Sequence, residues 1–209
     1  MALLKHFVNQ KYQWGIWELT ESFDELLNTL PDKGEMYSRG LKSFTSESRK
    51  REWIAARVLL YKLAGEEKKI SYHRNGKPYF ADKSGYISIS HTKGYVAVIV
   101  SPQNEVGIDI EKYGERIHKV AHKFVRPDED AHGDMPEATT KRLLIWSAKE
   151  VMFKCMNAEN VDFLEDLKID TFPLGQYWMM AHETRTEKRN HFLIHYVVHN
   201  DFVMTWTVC

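Results

Sequence analysis

Hydrophobic and polar residues alternate along the stretch VGIDIEK at 106–112. Side chains on a strand point to opposite faces with a period of two, so one face here is aliphatic and the other carries Gly107, Asp109 and Glu111. Two carboxylates side by side disfavour ionisation of both. The pair therefore has two interpretations: the solvated outer face of an edge strand, or two ligands for a hard divalent cation.

The same periodicities predict the other elements of the chain. Helical patterns occur at 22–30, 46–65, 115–125 and 141–157, with Thr20 or Ser22 as the first N-cap and Gly65 ending the second helix. Strand patterns occur at 86–90, 94–101 and 106–111, predicted as an antiparallel meander, and again at 177–183, 191–199 and 202–208. Helices followed by strands, twice over, indicate an α+β fold with segregated antiparallel sheets.

An internal similarity divides the chain in two. IAARVLLYKL at 54–63 aligns without a gap to WSAKEVMFKC at 146–155, and SHTKGYVAVIV resembles VHNDFVMTWTV with one residue dropped. The sequence thus predicts two pseudo-equivalent halves, 1–105 and 106–209, each a long helix packed on a small antiparallel sheet. A cleft between them is where we expect the active site.

Composition and charge restrict the class of protein. The chain has 209 residues, of which 43% are hydrophobic, and its 29 basic residues balance 29 acidic ones, so no overall field favours nucleic acid or a membrane surface. Its two cysteines form no CxxC pair, and neither a signal-peptide core nor a run of ~20 apolar residues is present. We expect a cytoplasmic protein without a membrane span.

Glu150 and Lys154 lie one turn apart on the predicted helix at 141–157. Taken alone, they read as an ordinary surface ion pair. Taken with Asp109 and Glu111, Glu150 completes a set of three carboxylates that suits Mg²⁺ or Mn²⁺ better than Zn²⁺. A lysine one turn away would suit a phosphate bound to that metal.

These motifs together resemble a known family. GIDIE at 107–111 is followed by WSAKEVMFK at 146–154, and both are preceded by SISHT at 88–92 and GKPYF at 76–80. In this order and spacing, the chain resembles the 4'-phosphopantetheinyl transferases. It is most similar to the surfactin-synthetase-activator type, in which one chain contains two similar halves. That type implies a monomer, whereas shorter members build the site between subunits.

The resemblance implies a reaction and a set of site residues. The reaction transfers phosphopantetheine from coenzyme A to a serine of an acyl- or peptidyl-carrier protein and releases adenosine 3',5'-bisphosphate. Magnesium would be held by Asp109, Glu111 and Glu150, with Glu150 also accepting the serine proton and Lys154 stabilising the phosphate. The first half would bind the coenzyme A phosphates and adenine, through Lys33, Arg49, Lys77, Ser90 and His91.

Two alternatives and one surface stay open at this point. The chain could be a non-catalytic module that binds coenzyme A or a carrier, or a metal-binding protein that uses His191, His195 and His199. The pattern at 115–125 also predicts an amphipathic helix whose basic side includes Lys119 and Lys123. That side is either a solvated face or a docking surface for an acidic carrier.

Overall fold

The computed structural model of the protein describes residues 3–129, 134–156 and 158–209. The chain divides into two compact units, one reaching Asn104 and the other running from Glu105 to Cys209. Each unit contains one long helix and an antiparallel sheet, so the predicted α+β class is confirmed. The equivalence of the two halves stays a prediction.

The first unit is built on a four-stranded antiparallel sheet. The strands of the whole unit, including those outside this sheet, are β1 (Leu3–Val8), β2 (Gln13–Glu18), β3 (Ile70–Tyr72), β4 (Pro78–Phe80), β5 (Tyr86–Thr92) and β6 (Tyr95–Ser101). Its helices are α1 (Phe23–Thr29), α2 (Ser38–Leu41) and α3 (Glu47–Ala64), with a 3-10 segment at Pro31–Tyr37. The sheet has the order β1-β2-β6-β5, while β3 and β4 pair as a separate ribbon.

Local signals in the sequence define the ends of the helices in this unit. Ser22 forms a capping box with Glu25 at the start of α1. The Ser46 side chain accepts a hydrogen bond from the backbone N–H of Arg49 at the start of α3, and Gly65 ends α3 with a left-handed φ of 74°. The apolar residues of α3 pack on the sheet and form the core of this unit with residues of β2 and β6.

The predicted meander ends after its second strand. β5 and β6 form the expected antiparallel hairpin, but β6 has β2 as its other neighbour. No edge of β6 is therefore left for the strand at 106–112, which belongs to the second unit. Because β1 and β2 lie far from β6 in sequence, the periodicity alone did not reveal this order.

The second unit contains a five-stranded antiparallel sheet with α5 packed on one face. Its strands are β7 (Val106–Lys112), β8 (Leu167–Ile169), β9 (Trp178–Glu183), β10 (His191–Val198) and β11 (Phe202–Val208), and its helices are α4 (Ile117–Val120) and α5 (Met135–Cys155). The sheet order is β7-β11-β10-β9-β8, so β7 lies at an edge and pairs with β11. Leu144, Ala148, Val151 and Cys155 form an apolar stripe along α5, and all four are buried.

The helix predicted at 115–125 is shorter than expected. α4 covers four residues and is followed by one 3-10 turn at Ala121–Lys123. The chain then leaves the helical path at Phe124, whose φ is −146° and whose carbonyl accepts a hydrogen bond from Lys149. Within the described ranges, none of the helices combines the length and apolar character needed to cross a bilayer.

Candidate active site

Asp109 and Glu111 lie on the face of β7 that packs against α5. Gly107 shares this face, and a Cβ placed on it would lie only 2.8 Å from the carbonyl oxygen of Val151 on α5. This close approach of strand and helix buries Asp109 to 4% exposure although β7 is an edge strand. For Asp109, the interpretation as a solvated outer face is therefore wrong.

Lys154 joins the end of α5 to β7. Its ammonium nitrogen donates hydrogen bonds to Asp109 Oδ1 and to the carbonyl oxygen of Ile108, both at 2.8 Å. The Lys154 side chain is 25% exposed, whereas that of Asp109 is 6% exposed. The ion pair therefore connects α5 to β7. The pairing of Lys154 with Glu150 that the sequence suggested does not include Asp109, the carboxylate to which Lys154 is bonded.

Trp146 fixes the second carboxylate of the strand. Its indole N–H donates to Glu111 Oε1 at 2.7 Å. Trp146 lies on α5, one turn before Glu150, so the helix brings an indole donor, a carboxylate and an ammonium toward the acidic face of β7. The tryptophan was visible in the sequence as part of the WSAKEVMFK motif, but its role as a donor to Glu111 was not predicted.

The three carboxylates interact electrostatically. Burial raises the pKa of Glu111 to about 7, with a further increase from Asp109 and Glu150 and partial compensation by the Trp146 hydrogen bond and Lys154. Burial and the charge of Asp109 also raise the pKa of Glu150, against a lowering by Lys154. The three carboxylates together thus bring more negative charge to this site than the single positive charge of Lys154 neutralises.

The chemistry of this donor set fits a hard divalent cation. All three side chains offer oxygen, and a cation would relieve the repulsion that raises both glutamate pKa values. Across the described part of the chain, no three or more His, Cys, Asp or Glu side chains are already arranged as metal ligands. The carboxylates would therefore have to turn toward the ion when it binds.

The histidines at 191, 195 and 199 cannot share a metal ion. His191 and His195 lie on β10 and His199 follows it, so a rise of about 3.3 Å per residue separates neighbours by roughly 13 Å. His195 stacks on Trp206 and His199 on Phe202. The alternative of a histidine metal site built from these three residues is wrong.

A cavity of about 310 Å³ in the first unit contains two of the predicted coenzyme A residues. Arg49 and His91 are among its lining residues, as are Gly76 and Pro78. The Nδ1 atom of His91 lies 3.5 Å from Glu52 Oε2.

The other three predicted residues do not line this cavity. Ser90 adjoins His91 on β5, but it is buried on the opposite face of the strand. The backbone of Lys77 is held by Asn75 and His73 in the turn between β3 and β4. Lys33 is exposed in the 3-10 segment, with a φ of 51°.

Arg57, in the middle of α3, lines the same cavity and was missed by the sequence analysis. Only 2% exposed, it donates to the Trp53 carbonyl oxygen and to the Tyr72 hydroxyl, and its guanidinium lies 3.3 Å from the Trp53 ring centroid. These partners are neutral, and Nε has no hydrogen-bond partner among the described residues. A charged residue within the apolar run IAARVLL was the available signal. A buried cation of this kind favours an anionic ligand.

Among the comparisons with known proteins, the match to a family model lies within the second unit. A family model described as the 4'-phosphopantetheinyl transferase superfamily matches residues 105–207. The 4'-phosphopantetheinyl transferase AcpT of Salmonella typhi is 31% identical over 114 residues, which are 51% of this chain and 58% of the relative. AcpT of Escherichia coli O157:H7 is 35% identical over 74 residues, or 34% of this chain and 38% of the relative. The chain thus spans less than two thirds of these relatives.

A longer match comes from Haemophilus influenzae. Its protein, which is provisionally named as a 4'-phosphopantetheinyl transferase, is 31% identical over 159 residues, and the match covers 64% of this chain and 68% of the relative. The range matched by the family model includes Asp109, Glu111, Glu150 and Lys154. From this match and the family model, we conclude that the chain belongs to the 4'-phosphopantetheinyl transferase superfamily.

Proposed function

We propose that the protein transfers 4'-phosphopantetheine from coenzyme A to a serine of an apo acyl- or peptidyl-carrier protein. The observation that carries the proposal is the ion pair between the buried Asp109 and the partly exposed Lys154, which joins β7 to α5 beside Glu111 and Glu150. Membership of the superfamily supplies the reaction class. The serine oxygen bonds to the phosphorus that carries pantetheine, and the bond from that phosphorus to the adenosine bisphosphate breaks.

Magnesium, with manganese as a substitute, would be held by Asp109, Glu111 and Glu150. When bound, the ion neutralises charge on the pyrophosphate. Lys154 contributes a second positive charge. Among the described residues, its ammonium group uses two of its three N–H donors, on the carbonyl oxygen of Ile108 and on Asp109. The third donor is available for a phosphate oxygen as charge develops during transfer.

Glu150 is the proposed acceptor of the serine proton, directly or through a water molecule. A carboxylate whose pKa lies above its ordinary value binds a proton more readily near neutral pH, and the Glu150 pKa is raised by burial and by Asp109. Glu150 would therefore serve both the metal and the proton transfer, as the resemblance implies.

We propose that the first half, 1–105, binds the phosphates and adenine of coenzyme A, and that the second half, 106–209, holds the metal and the catalytic carboxylates. The cavity with Arg49, His91 and Arg57 supports an anionic ligand in the first half. Roles for Lys33, Lys77 and Ser90 stay predictions. The surfactin-synthetase-activator subtype, a site in a cleft between the halves, a monomeric state and a cytoplasmic location also stay predictions.

A mass assay tests the proposed function. The protein is incubated with coenzyme A, Mg²⁺ and a panel of apo carriers, and the intact mass of each carrier is measured together with released adenosine 3',5'-bisphosphate. We expect one phosphopantetheine group to be added to at least one carrier, with loss of transfer in EDTA and restoration by Mg²⁺ or Mn²⁺. Glu150→Gln should abolish most transfer, whereas Lys62→Ala, an exposed lysine of α3, should not.

The same assay separates the enzyme from a non-catalytic binding module. Calorimetric binding of coenzyme A without transfer to any carrier, and without bisphosphate release, would favour the module. Transfer that persists at the wild-type rate in folded Glu150→Gln would remove Glu150 from the mechanism.

A further inference from the structure

Lys149, the residue before Glu150, is completely buried within the second unit. Its ammonium nitrogen donates to the carbonyl oxygens of Phe124 at 2.6 Å and Phe163 at 2.9 Å, and to Glu129 Oε2 at 2.9 Å. These three bonds use all its N–H donors. Unlike Lys154 of the same motif, Lys149 therefore has no donor left for a ligand.

Glu129 extends the same network to two further segments. Its side chain is 1% exposed, and its Oε1 atom accepts the backbone N–H of Ile169 on β8 at 2.8 Å. Its Oε2 atom accepts the backbone N–H of Arg126 at 2.8 Å. The buried Lys149–Glu129 ion pair therefore ties α5 to residues 124–129, to Phe163 and to β8.

Phe124 and Phe163, whose carbonyl oxygens accept hydrogen bonds from Lys149, also pack their rings against Trp146. The Phe124 ring lies edge-on to Trp146 with centroids 5.0 Å apart, and the Phe163 ring lies 5.5 Å from Trp146. Trp146 in turn donates its indole N–H to Glu111. One continuous set of contacts thus runs from the buried ion pair, through two backbone carbonyls and their aromatic rings, to a carboxylate of the candidate active site.

We propose that Lys149 and Glu129 are positioning residues, which hold the Phe124–Trp146–Phe163 cluster in place and through it orient the carboxylate of Glu111. The catalytic consequence rests on the proposed function, in which Glu111 binds the metal. A buried ion pair is weak support for stability, since apolar residues of similar volume often replace one without loss. The four backbone hydrogen bonds of the pair, to Phe124, Phe163, Arg126 and Ile169, are better suited to fixing the geometry of the segments that surround Trp146.

The test follows the Trp146 indole N–H directly. In metal-free protein, its ¹H–¹⁵N signal is assigned by its loss in Trp146→Phe, and its shift and hydrogen-exchange protection are then compared across Lys149→Met, Glu129→Gln and the double variant. The matched control is Glu183→Gln. Glu183 is equally buried in the second unit and accepts hydrogen bonds from Thr186 and Asn190 in the β9–β10 hairpin.

We expect the indole signal to shift and lose protection in each Lys149 and Glu129 variant that folds, but to stay unchanged in Glu183→Gln. Mn²⁺ affinity, measured by electron paramagnetic resonance, should weaken about tenfold in the same variants, as for residues that orient metal ligands. Should Lys149→Met fail to fold, Glu129→Gln and the double variant carry the test.

An unchanged indole signal in any folded variant would overturn the positioning role, whatever its activity. A changed signal with unchanged Mn²⁺ affinity would support the positioning role and instead contradict Glu111 as a metal ligand. Failure of the inference and failure of the proposed function therefore give different results.

Discussion

Glu111 links the local environment of one carboxyl group to the stability of the protein. Its folded pKa of about 7 lies above its ordinary value of 4.5, chiefly through burial. A raised folded pKa gives stability that is fully present below pH 4.5 and is lost as the pH rises through 7. We expect Glu111→Gln to remove this loss, by a few kcal/mol at most, since one pKa unit corresponds to about 1.4 kcal/mol.

Urea unfolding in EDTA at pH 5 and pH 8 measures the effect. Wild type should lose more stability between the two values than Glu111→Gln, while Glu150, whose pKa is raised in the same direction, titrates in both proteins. If stability depended on pH in the same way in both proteins, the pKa of Glu111 would be the same in the folded protein as in the unfolded chain.

Lys154 is the residue whose charge is placed to act during the reaction. If its third N–H donor meets the phosphate as charge develops, Lys154→Ala should lower kcat more than it raises the KM for coenzyme A. Loss of its bond to the buried Asp109 should also lower the free energy of unfolding. Steady-state kinetics with Lys62→Ala as the control check the first expectation, and an effect on KM alone would reduce Lys154 to ground-state binding.

At the scale of elements, the packing of α5 on β7 leaves no room for a side chain at Gly107. A methyl group there would meet the Val151 carbonyl oxygen at 2.8 Å and the Cys155 sulfur at 3.0 Å. We expect Gly107→Ala to separate helix and strand, to cost about 1–3 kcal/mol of stability and to weaken Mn²⁺ binding.

The matched control for that substitution is Gly114→Ala, because a Cβ at Gly114 meets no atom of the described residues within 4 Å. Thermal unfolding and Mn²⁺ titration of both variants make the comparison. Equal behaviour of the two alanine variants would show that the close approach at Gly107 does not constrain the candidate site.

At the scale of the whole molecule, charge balance makes attraction to an acidic carrier depend on local surface. Formal net charge is zero at pH 7, while Lys119 and Lys123 are exposed beside the buried Ile117 and Phe124. The neighbouring Arg126 is already bonded to Asp128 and to the carbonyl oxygens at 164 and 165, so it contributes less to such a surface.

We expect Lys119→Glu with Lys123→Glu to raise the KM for the carrier severalfold and to weaken its salt dependence, because exposed charges are screened within ~8 Å at physiological salt. The KM for coenzyme A should not change. Both constants are measured at low and moderate salt, and equal carrier KM values would identify these lysines as part of an ordinary solvated face.

The sequence by itself determined the features that depend on neighbours along the chain. The alternation at 106–112 predicted β7 and its acidic face. Gly65 marked one helix end and Thr20 or Ser22 another, because capping groups act within one turn, and the N-cap is Ser22. The motif residues Asp109, Glu111, Glu150 and Lys154 were likewise visible, since residue type and spacing carry the chemistry of a donor set.

Only the tertiary structure decided which of these groups meet. Lys154 bonds to Asp109, 45 residues away, and Trp146 bonds to Glu111, 35 residues away. The pairing of β7 with β11, the burial of Arg57 and Lys149, and the end of the helical path at Phe124 also follow from distant contacts. Periodicity reports which face of an element is apolar, whereas partners, burial and pKa values depend on what packs against that face.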